Sequence, residues 1–327
     1  MKNELKIYIL IFNKNILNLI IIYIYINLNK NNIIKQRISV AYGLDNNYLY
    51  PTLVSMISIL ENSSRYTFYF FYLLVGKNIF KKENKEKLMH LEEKYNNCKI
   101  IIFELTNENL LNARINRYPI SAYYRLLLAK LIPDIKRIIY LDGDTLVFTD
   151  LTKMINLDMK NNIILGFVDD DYKKAKIFGI KTYKYITSGV LLIDLEKMRK
   201  ENISQKFFDF INNNKEKLIQ EDQTVINIVL HGRIGLIPPK FGLWNFLNIK
   251  RVIYHNHYKN TKLGIQAYND REILKGWRHP SIIHLVKGKP WRGALFKSKI
   301  PFHKQWWEYA KKSDEFENII KLYSKKI

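Results

Sequence analysis

Two carboxylates flank a glycine at Asp142-Gly143-Asp144, directly after the apolar run Arg137-Ile138-Ile139-Tyr140-Leu141. In an extended chain, residues two apart point to the same side, so Asp142 and Asp144 can approach one cation. Gly143 lacks a side chain, which lets a phosphate come close to the backbone. The competing reading is an Asp-Gly turn closing a hairpin. A second group is His284-Leu285-Val286-Lys287-Gly288-Lys289-Pro290-Trp291, after the short apolar run 281–283. His284 could add a nitrogen ligand, and mixed Asp/His ligation suits Mn²⁺ better than Ca²⁺. Lys289 could meet a diphosphate as a point charge. The plainer reading is a core histidine before a basic surface loop. His255 and His257 form a rival metal pair in a polar stretch without a strand signal.

Two further segments could touch a ligand. In Gly43-Leu44-Asp45-Asn46-Asn47-Tyr48, Asp45 or Asn47 could read the hydrogen-bonding edge of a base and Tyr48 could stack on it. Asp and Asn also start helices, so an N-cap explains the same residues. Gln220-Glu221-Asp222-Gln223-Thr224 precedes Val225, Ile226, Ile228 and Val229, and acidic residues in a first turn are favoured by the helix dipole.

These groups need a scaffold that brings them to one place. Ile38–Leu44 reads as a buried strand, Tyr48–Glu61 as a helix, and Tyr66–Val75 as an apolar, aromatic strand. Asn78–Tyr95 reads as an outer helix and Lys99–Leu105 as a third strand. Strand–helix alternation of this kind predicts a parallel α/β sheet. Ser121–Leu131 reads as a helix stopped near Pro133. Arg137–Leu141, Ile163–Val168 and Gly189–Asp194 read as strands, and Phe207–Leu230 as one or two helices. Irregular structure is expected after Gly232, then a helix after about Phe302. Ligands of open α/β sheets sit beyond the carboxyl ends of strands, where Asp142 and Asp144 fall. Neither G-x-G-x-x-G nor G-x-x-x-x-G-K-[ST] occurs, so a bound nucleotide diphosphate would need a metal ion instead.

Composition bounds the rest. The chain has 327 residues and is 47% hydrophobic, enough for a sizeable core. The lone Cys98 excludes an internal disulfide or a thiolate metal site and favours a reducing compartment, with a cytoplasmic location expected. Lys and Arg exceed Asp and Glu by 53 to 30, a net charge of +23 that attracts polyanions in general. No nucleic-acid motif accompanies it, so a nucleic-acid partner is not expected. Lys287, Lys289, Arg292, Lys297, Lys299 and Lys304 interleave with Trp291, Phe296 and Phe302, which suits peripheral contact with an anionic membrane face. A solvated surface with a few packed aromatics accounts for it equally. Residues 1–37 form an N-terminal extension whose apolar run, Ile16 to Leu28, is about 13 residues. A spanning helix needs about 20, so a disordered or mis-started extension is preferred to a marginal anchor. The catalytic domain is placed at 38–300 and a basic helical tail at 301–327.

Taken in order, these segments resemble glycosyltransferase family 8, which includes bacterial lipopolysaccharide galactosyl- and glucosyltransferases and glycogenin. The resemblance rests on Asp45-Asn46-Asn47-Tyr48, Ala122-Tyr123-Tyr124-Arg125-Leu126, Tyr140 to Asp144, Ser188 to Leu195, Glu221-Asp222-Gln223-Thr224, and His284 with Lys289-Pro290-Trp291. It implies a Rossmann-like nucleotide-diphospho-sugar transferase fold, α/β, with one mixed, largely parallel sheet flanked by helices. It also implies retaining transfer of a hexose from a UDP-sugar to a glycan or lipid-linked saccharide. Asp142, Asp144 and His284 would hold Mn²⁺ or Mg²⁺; Asp45, Asn47 and Tyr48 the uridine. Arg125 and Lys289 would face the donor sugar or phosphates. Asp169 or Asp170, Asp222 and Gln223 would surround the transferred sugar. Two departures stand out: Thr187 replaces the usual asparagine, and the histidine loop is one residue shorter, leaving Lys287 or Gly288 in the usual glycine's place. A sugar-phosphate nucleotidyltransferase and a non-catalytic basic polyanion-binding protein are the alternatives.

Overall fold

A computed structural model describes residues 36–106, 113, 119–169, 177–180, 185–218, 220–245, 267–292 and 300–324. Strand β1 (Gln36–Gly43) is followed by a short 3₁₀ turn and helix α1 (Leu49–Glu61), then β2 (Thr67–Gly76). Helices α2 (Lys82–Met89) and α3 (Leu91–Lys94) replace the single outer helix expected, and lead to β3 (Cys98–Leu105). A 3₁₀ segment, Ile120–Leu127, continues into α4 (Leu128–Leu131), so the helix expected here is mostly of the tighter form. Strand β4 (Arg137–Leu141), β5 (Thr145–Val147), α5 (Thr152–Ile155) and β6 (Ile164–Val168) follow. Next come β7 (Ile186–Asp194), α6 (Leu195–Lys200), α7 (Ile203–Asn213) and α8 (Glu221–Val229). The region expected to be irregular holds β8 (Ile234–Leu236), β9 (Leu243–Trp244), α9 (Asp270–Arg278) and β10 (Ile282–His284). Two helices close the chain, α10 (His303–Ala310) and α11 (Phe316–Ser324).

Seven strands form one sheet in the order β3-β2-β1-β4-β7-β6-β8, and β5-β10-β9 form a second, small sheet. The β1–β2, β2–β3, β1–β4 and β6–β8 pairs are parallel, whereas β7 runs antiparallel to both β4 and β6. The α/β fold with a mixed, largely parallel sheet is therefore as expected. Burial explains why β2 tolerates ten consecutive buried residues. Tyr69, Phe71, Leu73 and Val75 enter one apolar cluster with α1, while Phe68, Phe70, Tyr72 and Leu74 enter a second on the opposite face. Strand periodicity of two puts alternate side chains on opposite faces, and both faces here are covered.

Gln36 and Arg37, just before the strand expected from Ile38, already pair with Thr67 and Phe68. Residues 1–35 lie outside the described residues. The expected C-terminal segment, 301–327, is helical in α10 and α11 and packs inward: Trp306, Trp307, Ala310 and Ile319 are buried in the same cluster as α1. Among the described residues no helix is long and apolar enough to cross a membrane.

Candidate active site at the carboxyl end of the sheet

Strand β4 ends at Leu141, and Asp142-Gly143-Asp144 hands the chain to β5 in the other sheet. The turn therefore does not close a hairpin. Asp142 accepts from the Thr145 backbone N–H at 3.2 Å and from the Thr145 hydroxyl at 2.9 Å, fixing its bend. A Cβ built on Gly143 would lie 2.3 Å from Thr52 Oγ1 of α1. That space is needed for docking the turn on the helix, a packing demand the sequence did not reveal.

Strand β10 pairs His284 with Thr145 and so carries the imidazole to the turn. Its Nε2 lies 3.1 Å from Asp144 Oδ1 and 3.7 Å from Asp142 Oδ2. One ligand atom from each of Asp142, Asp144 and His284 lies within 4.8 Å of the others. Gly189 of β7 completes the wall: a Cβ there would be 2.1 Å from His284 Cε1 and 2.7 Å from Asp142 Oδ2. His284 Nδ1 is buried without a hydrogen-bond partner among the described residues. Two carboxylates and an imidazole with a spare buried nitrogen fit a divalent cation of the Mn²⁺ or Mg²⁺ kind.

Lys289 brings its ammonium onto Asp144 Oδ2 and also donates to the Leu285 carbonyl at 2.6 Å. Burial opposes the charge on Asp144, yet Lys289 and His284 outweigh it and hold its carboxyl below the ordinary range. In this loop Gly288 adopts φ +60°, the left-handed conformation that favours glycine, while Lys287 is exposed. Gly288 therefore takes the tight position.

Arg125 joins this cluster to the next. It is only 5% exposed, and its guanidinium lies over the Tyr140 ring at 4.1 Å. Nη2 is 2.9 Å from Asp142 Oδ1 and Nε is 3.1 Å from Asp222 Oδ2, while Nη1 donates to the Ser188 carbonyl. Burial disfavours the guanidinium charge, but the two carboxylates more than restore it, so Arg125 is a permanent cation. Asp222 differs: burial pushes its carboxyl up, Arg125 only partly opposes this, and the pKa rises to about 6. It lies in the first turn of α8, where Glu221 has φ +42°. Gln223 donates to Asp169 Oδ2 at 2.7 Å and to Gln220 Oε1 at 3.0 Å, and accepts from the Ser188 N–H at 3.3 Å. Asn227 clamps β7 to α8 through the Ile186 N–H and carbonyl, both at 2.8 Å.

The Asp45 loop lies at the edge of this arrangement. Asp45 Oδ1 accepts from the Asn47 and Tyr48 backbone N–H groups at 2.9 and 3.1 Å, so the capping role is realised. Asn47 is exposed, and Tyr48 meets Trp291 edge-on with centroids 6.2 Å apart. The structure thus gathers Asp142, Asp144, His284, Lys289, Arg125, Asp222, Gln223 and Asp169, and brings Asp45, Asn47 and Tyr48 near through Trp291. Asp170, His255 and His257 lie outside the described residues. Of the basic, aromatic stretch, Lys287, Arg292 and Lys304 are exposed but Trp291 is buried and Phe302 packs on Phe148 and Trp277. Lys297, Lys299 and Phe296 lie outside the described residues.

Comparison with known proteins accords with this geometry. Residues 39–294 match the profile of glycosyl transferase family 8. The chain is 28% identical over 274 residues to general stress protein A of Bacillus subtilis, covering 81% of this chain and 90% of that one. It is 26% identical over 299 residues to a lipopolysaccharide 1,2-glucosyltransferase of Escherichia coli, covering 88% and 79% respectively. Its fold is similar to that of the galactosyltransferase LgtC solved with donor and acceptor sugar analogs, with TM-score 0.69, 20% identity and coverage of 86% of this chain and all of that one. The carboxylate turn, the ordered elements around it and the match across most of the sequence lead to one conclusion: the chain belongs to glycosyltransferase family 8, and is a glycosyltransferase.

Proposed function

We propose that the protein is a retaining hexosyltransferase that moves glucose or galactose from a UDP-sugar to a glycan or lipopolysaccharide-type acceptor, with Mn²⁺, or Mg²⁺ in its place, as cofactor. The observation that carries this reading is the convergence of Asp142, Asp144 and His284 beyond the carboxyl end of β4. Lipopolysaccharide glucosyl- and galactosyltransferases among the relatives support the acceptor class. A cation held by these three residues supplies Lewis-acid neutralisation of charge developing on the departing UDP.

The chain's own residues do the rest. Lys289 meets the diphosphate, and Gly143 keeps the turn close to it. Asp45 and Asn47 hold the uracil edge while Tyr48 stacks on the ring. Arg125 and Asp222 orient the sugar, Asp222 accepting hydroxyl hydrogen bonds once ionised. Gln223 lies beneath the anomeric carbon. An amide oxygen carries no charge, and this one already accepts from Ser188, so it is a poor nucleophile. Retention then proceeds without a stable covalent intermediate: the acceptor oxygen bonds to the anomeric carbon on the face UDP leaves, and its proton passes to a phosphate oxygen. Residues 38–300 supply these groups. Exposed Lys287, Arg292 and Lys304 support peripheral contact with an anionic membrane on the cytoplasmic face.

A panel of UDP-sugars with Mn²⁺, read for UDP release, tests the donor. Release from UDP-glucose or UDP-galactose is expected, and silence across the panel in the presence of acceptor glycans would overturn the reading. Proton NMR of the first-formed product reads the linkage: an inverted β-anomer from an α-linked donor rules out retention.

A further inference from the structure

The family match ends at residue 294, yet the loop that carries Lys289 is held by residues beyond it. We propose that His303, the first residue of α10, is a positioning residue that sets Lys289 for the donor diphosphate. The inference rests on the reading of the donor as a UDP-sugar.

His303 is 5% exposed, and its Nε2 sits on the carbonyl oxygen of Gly288, the residue directly before Lys289. A carbonyl oxygen only accepts, so the ring nitrogen facing it carries the proton. Burial pushes the imidazole pKa down, which keeps the ring neutral and fixes this tautomer near pH 7. The tie matters because Gly288 is in the left-handed region, with φ +60°. A residue there has no regular-structure hydrogen bonds to hold its peptide plane, and the direction of that plane sets where Lys289 leaves the chain. Ile300 fills the space beside Gly288, its Cδ1 lying 2.3 Å from where a Cβ would stand. On the other side of Lys289, Trp291 packs on Trp306 with ring centroids 5.2 Å apart. The loop is thus gripped before and after the lysine by α10 and the residue that leads into it. The ammonium it delivers rests on Asp144 and the Leu285 carbonyl.

The test is a double-mutant cycle read by calorimetric UDP affinity in the presence of Mn²⁺. His303→Leu removes the donor and is expected to weaken UDP binding about three- to tenfold. His303→Gln, whose amide nitrogen reaches the same place as Nε2, restores wild-type affinity. In the Lys289→Ala background, His303→Leu has no further effect, because its action runs through the lysine. If the leucine variant does not fold, His303→Asn, whose amide stops short of the carbonyl, takes its place in the cycle. Additive losses, no loss from His303→Leu, or failure of His303→Gln to rescue would overturn the proposal. Failure of the wild-type protein to bind UDP overturns the donor reading instead.

Discussion

Asp144 and Asp222 are both nearly fully buried, at 5% and 3% exposure, at the same end of the sheet, yet their acidities move in opposite directions. Asp144 meets the Lys289 ammonium on one oxygen and the His284 ring on the other, and its carboxyl is held low. Burial pushes the Asp222 carboxyl up, the single guanidinium it shares with Asp142 only partly opposes this, and Asp142 and Glu221 add repulsion, so its pKa rises to about 6. The difference shows that burial alone does not set the charge of a site carboxylate; the number of undivided cationic partners does. The turn side keeps its carboxylate charged. The helix side carries a carboxylate whose protonation changes close to neutral pH.

The strongest way to break this contrast is to empty the turn. Asp142→Ala and Asp144→Ala should each cost more than about a hundredfold in metal-dependent turnover, since even outer-shell losses around a metal cost 10- to 100-fold. Near-normal rates at limiting Mn²⁺ would remove the pair from the metal site. A less direct route is Gly189→Ala, whose methyl would sit 2.1 Å from His284 Cε1. It should weaken Mn²⁺ binding by about 10- to 100-fold without replacing a ligand, as titration calorimetry would show.

On the helix side, Asp222→Ala should lower turnover about 10- to 100-fold, and Gln223→Ala about 3- to 10-fold, as expected for hydrogen bonds to charged and neutral groups. Equal losses in the two variants would contradict the separate roles given to them.

A stability measurement sharpens the comparison further. The carboxyl of Asp222 is raised from an ordinary 3.8 to about 6, so the fold holds a proton there that the unfolded chain releases. Its stabilising contribution is complete below about pH 4 and is lost as pH rises through 6. At pH 7 to 8 Asp222→Asn should therefore be more stable than wild type, by about 1–3 kcal/mol. Thermal unfolding across pH checks this: the advantage should shrink toward pH 4, and an offset independent of pH would contradict it.

Much of the site could be read along the chain because its groups end or begin regular elements. Asp142 and Asp144 follow an apolar strand, and Asp222 and Gln223 open an amphipathic helix. What escaped was cross-chain packing. Gly143 against Thr52 and Gly189 against His284 depend on elements far apart in sequence, and a glycine alone does not say what approaches it. Strands of two or three residues, such as β9 and β10, are too short to show a period. Helix α9 had a legible start, since Asn269 and Glu272 form a capping box, but the surrounding Gly, Pro and Trp obscured it. The clustering of Arg125 with both carboxylates came from the 3₁₀ segment, whose register an α-helical reading does not give.

Strand β7 runs against β4 and β6, so its two ends meet different parts of the molecule. Val168 at the end of β6 pairs with Ile186 at the start of β7, so the connection between them leaves and re-enters at the face where Asp169, Ser188 and Gly189 meet the site. Substitutions at Asp169, Ser188 and Gly189 therefore reach the Gln223 and His284 sides of the candidate site while leaving the strand ladder intact. The other end of β7 passes straight into α6 on the far side, where the same changes would be silent. One end of a single strand is thus coupled to the candidate site, and the other end is not.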